Sequence, residues 1–174
     1  MKFNYYAFKA IYLHEMDRFR RTLMQSLLSP VLSTSLYFIV FGSVIGGYVQ
    51  KIDGISYGSY IVPGLLMLTL LTQSISNTSF GIFFPKFNGT IYEILAAPIS
   101  TLEIVLAFVG AGATKTLIVG LMIFLTSTFF VEVEVKYPLL MIFLLVLVSF
   151  TFALFGFLIG LMSSNFEQMS IIPS

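Results

Sequence analysis

Few side chains in this sequence could do chemistry, and their spacing does not build a catalytic centre. There is no Cys and only one His, His14, so thiolate nucleophiles, disulfides and His-rich metal sites are excluded. Glu93 and Glu103 stand ten residues apart and offer the two carboxylates an acid–base pair needs. Nothing in their spacing forces them together. The run Gly110-Ala-Gly-Ala-Thr-Lys115-Thr116 looks like a phosphate-binding loop at first sight. That motif needs a Gly immediately before the Lys, where this chain has Thr114. It also needs a strand before it and a soluble helix after it. Here the flanks are membrane-grade apolar sequence, so no cofactor is expected on this chain, and an enzyme is not expected.

The remaining polar residues fall into three groups. The first is the segment Phe84–Glu103, FPKFNGTIYEILAAPISTLE, a structured break between long apolar runs. It is expected to form a short helix that meets a partner. The second is a stripe, Thr69, Thr72, Gln73 and Ser76, spaced i, i+3, i+4, i+7 along one helix face. Such residues in a membrane helix either hydrogen-bond to neighbouring helices or line a substrate path. The third is the basic N-terminal stretch, with Lys9, His14, Asp17, Arg18, Arg20 and Arg21 on one helical face. Tyr5, Phe8, Tyr12, Met16, Phe19 and Leu23 share the opposite face. Residues 3–24 are therefore expected to form an amphipathic interfacial helix, its basic side toward anionic lipid. Asp17 lies three and four residues before Arg20 and Arg21, the favourable order for ion pairs.

The elements that carry these groups follow from composition. Hydrophobic residues make up 57% of the chain and charged residues 10%, against about 25% charged in a soluble domain. Several apolar runs reach eighteen residues, which predicts an all-α polytopic membrane protein. Net charge is +1, which gives nucleic-acid binding no support. Spans are expected over about 27–47, 59–80, 107–131 and 139–162. Pro30 would sit in the first turn of the first span, where a missing N–H costs little. Pro63-Gly64 would kink or break the start of the second. Gly42 with Gly46, and Gly156 with Gly160, form small-xxx-small pairs suited to close helix approach. Asp53-Gly54 signals a turn, and Glu132, Glu134, Lys136 and Pro138 a second. Lys115 interrupts the third apolar run. It stands either at the inner interface, snorkelling to headgroups, or buried and paired inside the bundle. The length from Lys115 to Val131 favours the interface. Five of the nine Lys and Arg precede the first span, so the N-terminus and residues 81–103 are expected to be cytoplasmic and residues 48–58 and 131–138 outside.

Across nearly its whole length the sequence resembles the membrane subunit of ABC-2 type exporters. The residues that carry the likeness are Tyr60-Ile-Val-Pro63-Gly64-Leu65, then Lys86, Gly89, Glu93-Ile94-Leu95 and Pro98-Ile-Ser100-Thr-Leu-Glu103, then Ser163 to Phe166 with Glu167, and Glu15 with Arg18-Phe19. The resemblance implies a dimer of permeases and two separate ATPase subunits, with ATP and Mg bound on those partners. It implies that Phe84–Glu103 is the coupling helix, with Lys86, Gly89, Tyr92, Glu93, Ile94, Leu95, Pro98 and Glu103 at the ATPase contact. Tyr92, Ile94 and Leu95 would be its apolar anchor. Glu15, Arg18, Arg20 and Arg21 would belong to the family's interfacial helix. Localisation would be the bacterial inner membrane. The resemblance also implies six spans where four are present, so the sequence is expected to be C-terminally truncated. A membrane anchor or assembly factor without an ATPase is the alternative function.

Overall fold

A computed structural model of the protein describes residues 3–45, 51–52, 55–131, 133 and 135–171. Gly46, Gly47, the Asp53-Gly54 turn, Glu132, Glu134 and the residues after Ile171 lie outside the described residues. Seven α-helices are present among the described residues: α1 Tyr5–Arg21, α2 Leu23–Tyr37, α3 Tyr57–Asn88, α4 Ile91–Ala96, α5 Thr101–Ser127, α6 Pro138–Met162 and α7 Phe166–Ile171. A π-helical stretch, Phe38–Ile45, continues α2. A two-residue antiparallel ribbon, β1 Lys51–Ile52 with β2 Ile55–Ser56, pairs Lys51 with Ser56 and Ile52 with Ile55. Four helical stretches are long and apolar enough to cross a membrane: Leu23–Phe41, Tyr57–Asn88, Thr101–Ser127 and Pro138–Met162.

Local sequence explains where the helices begin and end. Asn4 caps α1 by accepting from the Ala7 N–H, and Arg18, Arg20 and Arg21 complement the helix dipole at its end. Thr22 separates α1 from α2 and donates its hydroxyl back to the Arg18 and Phe19 carbonyls. Because α2 already starts at Leu23, Pro30 lies in the helix interior and not in a first turn, which corrects the expectation from sequence. The Pro30 carbonyl accepts from the Thr34 hydroxyl at 2.6 Å. Pro63 is likewise absorbed, since α3 runs unbroken through it and through Pro85 to Asn88. With 32 residues, α3 is about 48 Å long, well beyond the roughly 30 Å of bilayer hydrocarbon. Gly89, at φ 80°, ends it in the left-handed conformation that glycine adopts without penalty.

The α3–α6 seam forms the centre of the bundle. Gly156 and Gly160 let the backbones meet: a Cβ at Gly156 would lie 2.5 Å from the Ile75 carbonyl oxygen, and one at Gly160 2.5 Å from that of Ser79. The Ser74 hydroxyl donates to the Ser149 carbonyl at 2.7 Å within the same seam. Beside it, α5 contributes Ile104, Phe108, Val109 and Ala113 to an apolar cluster completed by Ile82, Ala153 and Phe157. Large apolar residues on the outward faces of α2 and α6, among them Leu32, Leu36, Phe143 and Leu158, remain exposed, as lipid-facing surfaces are.

α1 runs lengthwise along the first half of α5, in the same direction. Asn4 meets Glu103, Tyr12 donates its hydroxyl to Thr114 at 2.9 Å, and Glu15 meets Lys115. Phe19 clusters with Leu27, Val119 and Ile123. Much of the apolar face of α1 is thus covered by protein, while Tyr5 at its start stays exposed and so do Lys9, His14, Arg20 and Arg21.

Candidate functional site

Two features concentrate the polar chemistry, the α3–α5 connection and a cleft against α1. In the connection, Gly89 turns the chain, α4 follows, and Ser100 opens α5 with a capping box in which Glu103 reciprocates. On α4, Ile91 and Ile94 pack against the apolar cluster under α5. Tyr92, Glu93 and Leu95 point away from it, with Tyr92 73% and Leu95 62% exposed. Of the three residues expected to form an apolar anchor, the structure leaves Tyr92 and Leu95 outward and turns Ile94 inward.

Two of the three charged residues of the connection, Lys86 and Glu103, are anchors. The Lys86 ammonium donates to the Leu161 and Ser163 carbonyls at 2.6 and 2.9 Å, and so caps the C-terminal end of α6. A cation there also complements the dipole of α6. Glu103 is 2% exposed. One of its oxygens accepts the Asn4 N–H at 2.6 Å and the other the Ser100 N–H at 2.8 Å. The Asn4 side chain donates to the Pro98 carbonyl at 3.3 Å. The connection is therefore tied to α6 at its start and to α1 at its end. Glu93 is exposed while Glu103 is buried and engaged, so the two carboxylates form no acid–base pair.

Lys115 belongs to the second feature, and its placement corrects the preference drawn from sequence. It is 3% exposed, lies within α5 and is buried and paired inside the bundle. Its ammonium meets Glu15 Oε2 at 2.7 Å, and the Arg18 guanidinium meets the same oxygen at 2.8 Å. Glu15 is itself 2% exposed. The partner lies a hundred positions away in sequence, and α5 begins at Thr101, so Lys115 falls mid-helix. A signal was present nonetheless: Glu15 lies three residues after Tyr12 and four before Phe19, on the face that packs inward. Asp17 forms no ion pair among the described residues, and Arg21 reaches its carbonyl oxygen at 3.4 Å.

A cleft of about 560 Å³ opens beside this cluster, lined by residues of α1, α2, α3, α5 and α7 that include Arg18, Lys115, Ser76, Asn77, Phe80 and Met169. Of the polar stripe on α3, Ser76 reaches it. Thr69 and Thr72 are half-buried and return their hydroxyls to the Leu65 and Leu68 carbonyls of their own helix. Gln73 is half-buried and does not line the cleft. The interhelical hydrogen bond of this region comes from Ser74, which is off the stripe. Among the described residues no group of His, Cys, Asp and Glu could hold a metal.

Four apolar spanning helices, a capped connection with one outward apolar face, and a buried charge cluster define a polytopic helical membrane protein. The family profile of the ABC-2 type transporter matches residues 6–174, and the chain belongs to that family. Over 168 residues it is 37% identical to a protein of Escherichia coli named inner membrane transport permease YadH, and to one of the same name in Shigella flexneri. The match covers 97% of this chain and 66% of each relative, so the chain spans somewhat less than two thirds of their length. No solved structure matches it significantly.

Proposed function

We propose that the chain forms membrane-spanning permease structure of an ATP-driven exporter and that α4 docks into a groove of a separate ATPase subunit. One observation carries this reading: Tyr92, Glu93 and Leu95 face outward on a helix whose mounts on either side are pinned to the bundle. A rigid mount with exposed aromatic and aliphatic side chains suits a helix-in-groove contact. Family membership supports the rest: a second permease copy, ATP and Mg bound on the partner, and a bacterial inner-membrane location in keeping with the relatives' printed name. The Lys and Arg distribution supports a cytoplasmic N-terminus and α4. Ser76, as a cleft-lining residue, is the pathway candidate of the α3 stripe; Thr69, Thr72 and Gln73 are weaker ones.

The test is co-expression and co-purification with a phosphate-loop ATPase subunit of an ABC transporter from the same organism. Tyr92→Ala with Leu95→Ala is expected to abolish co-purification and ATPase stimulation while the permease remains folded. Full association of that variant overturns the docking assignment. Because the chain has no Cys, single cysteines at Ser56 and Asn88 report topology directly. They are expected to label from opposite sides of the membrane, and labelling from the same side refutes the orientation.

A further inference from the structure

The cleft between α1, α3 and α5 carries a charge imbalance that its own residues do not resolve. Lys115 and Arg18 share a single carboxylate oxygen of Glu15, so the three side chains sum to one positive charge. Among the described residues neither cation has another side-chain or backbone acceptor. A guanidinium carries five N–H donors and an ammonium three, so most of their donor capacity is unused. Asn77 also lines the cleft, and its amide nitrogen is buried without an acceptor. A net charge and unpaired donors in a partly desolvated site are costly. The lining also includes apolar side chains: Phe80 lies under the Arg18 guanidinium at 5.2 Å, and Phe19 and Met169 join it among the polar Thr22, Gln25, Ser26, Ser76 and Ser79.

We propose that this cleft binds the phosphodiester monoanion of an amphiphile, its phosphate oxygens on Arg18, Lys115 and Asn77 and its first carbons against Phe19, Phe80 and Met169. A single negative charge matches the net charge of the cluster. The volume, about 560 Å³, falls within the range of ligand pockets and holds a headgroup with the beginning of its chains. Arg is suited to this task because its planar fork pairs with two phosphate oxygens at once. Arg20 and Arg21 are exposed on the same helix and do not line the cleft, so they separate cleft binding from general attraction of a basic helix for anionic lipid. The site needs no ATPase and stands or falls apart from the docking of α4.

The purified protein in mild detergent is titrated with phosphatidylglycerol, phosphatidylcholine and inorganic phosphate, and bound ligand is read by native mass spectrometry. Phosphatidylglycerol is expected to be retained at least tenfold more than phosphatidylcholine. Arg18→Gln and Asn77→Leu are expected to reduce retention about tenfold and threefold, with Arg18→Lys recovering part of the loss. Arg20→Gln with Arg21→Gln is expected to change it less than twofold. Retention of inorganic phosphate without retention of phosphatidylglycerol assigns the site to a free anion and overturns the lipid reading. Equal retention of the two lipids overturns the proposal. So does an Arg18→Gln protein, folded by the same spectrum, that binds as wild type, or an Arg20/Arg21 variant that loses as much as Arg18→Gln.

Discussion

The α3–α6 and α1–α5 seams hold helices together by opposite means. In α3–α6 the contact is backbone on backbone, made by removing side chains at Gly156 and Gly160. In α1–α5 it is side chain on side chain, made by burying a carboxylate between two cations. Dispersion and close approach hold the first, and they cannot be varied without a clash. Ion pairing to a buried carboxylate holds the second, and it tolerates coordinated changes but not single ones. The difference suggests a fixed spine beside an adjustable flank, and it is open to direct attack.

The largest expected effect is on the charged seam. Glu15→Met leaves Lys115 buried without its carboxylate partner and should cost about 3–5 kcal/mol, seen as a lower unfolding midpoint in detergent. Adding Lys115→Met should restore most of that loss. A double variant as unstable as the single one would break the contrast, because it would show that packing and not charge holds α1. Next comes the spine. Gly160→Leu puts a side chain onto the Ser79 backbone and should cost about 3 kcal/mol, with no partner substitution able to rescue it. Gly64→Ala, with nothing within 4 Å of the new methyl, should instead gain about 0.5–1 kcal/mol.

Smaller effects sharpen the picture where the seams end. Lys86→Met uncaps α6 and should cost about 1 kcal/mol, visible as faster amide exchange near Leu161 to Ser163. Asn4→Ala removes the α1 cap and should cost about 1 kcal/mol by the same measurement. Tyr92→Ala with Leu95→Ala should stay within about 0.5 kcal/mol of wild type in stability. A larger loss would mean that α4 supports the bundle and is not a free surface.

Much of this fold was legible in the sequence because lipid-spanning helices are written in long apolar runs. Gly156 with Gly160 was readable as a close-approach pair, and it is one. Helix ends were less legible. Tyr57 to Asn88 runs through two prolines, because missing backbone bonds inside a bundle are offset by packing that local rules do not contain. Residues on α4 could be chosen from the family likeness, but which side faced out could not, since Ile94 and Tyr92 differ only in where the core lies. The same holds for Lys86 and Glu103. Their charges suggested a partner outside the chain, and they are used instead on Leu161, Ser163, Asn4 and Ser100. Glu15 with Lys115 was the pairing that needed three dimensions, apart from the hint that Glu15 shares a face with Tyr12 and Phe19.

Lys86 and Glu103 stand at the two ends of the connection, and each holds a different part of the bundle. A force applied to α4 therefore divides like a load on a yoke. One arm pulls on α3 and α6 together, and the other on α1 and α5. The left-handed Gly89 sits inside the first arm, and the backbone there can rotate most cheaply. Gly89→Ala would strain that left-handed turn and so load the joint between the two arms.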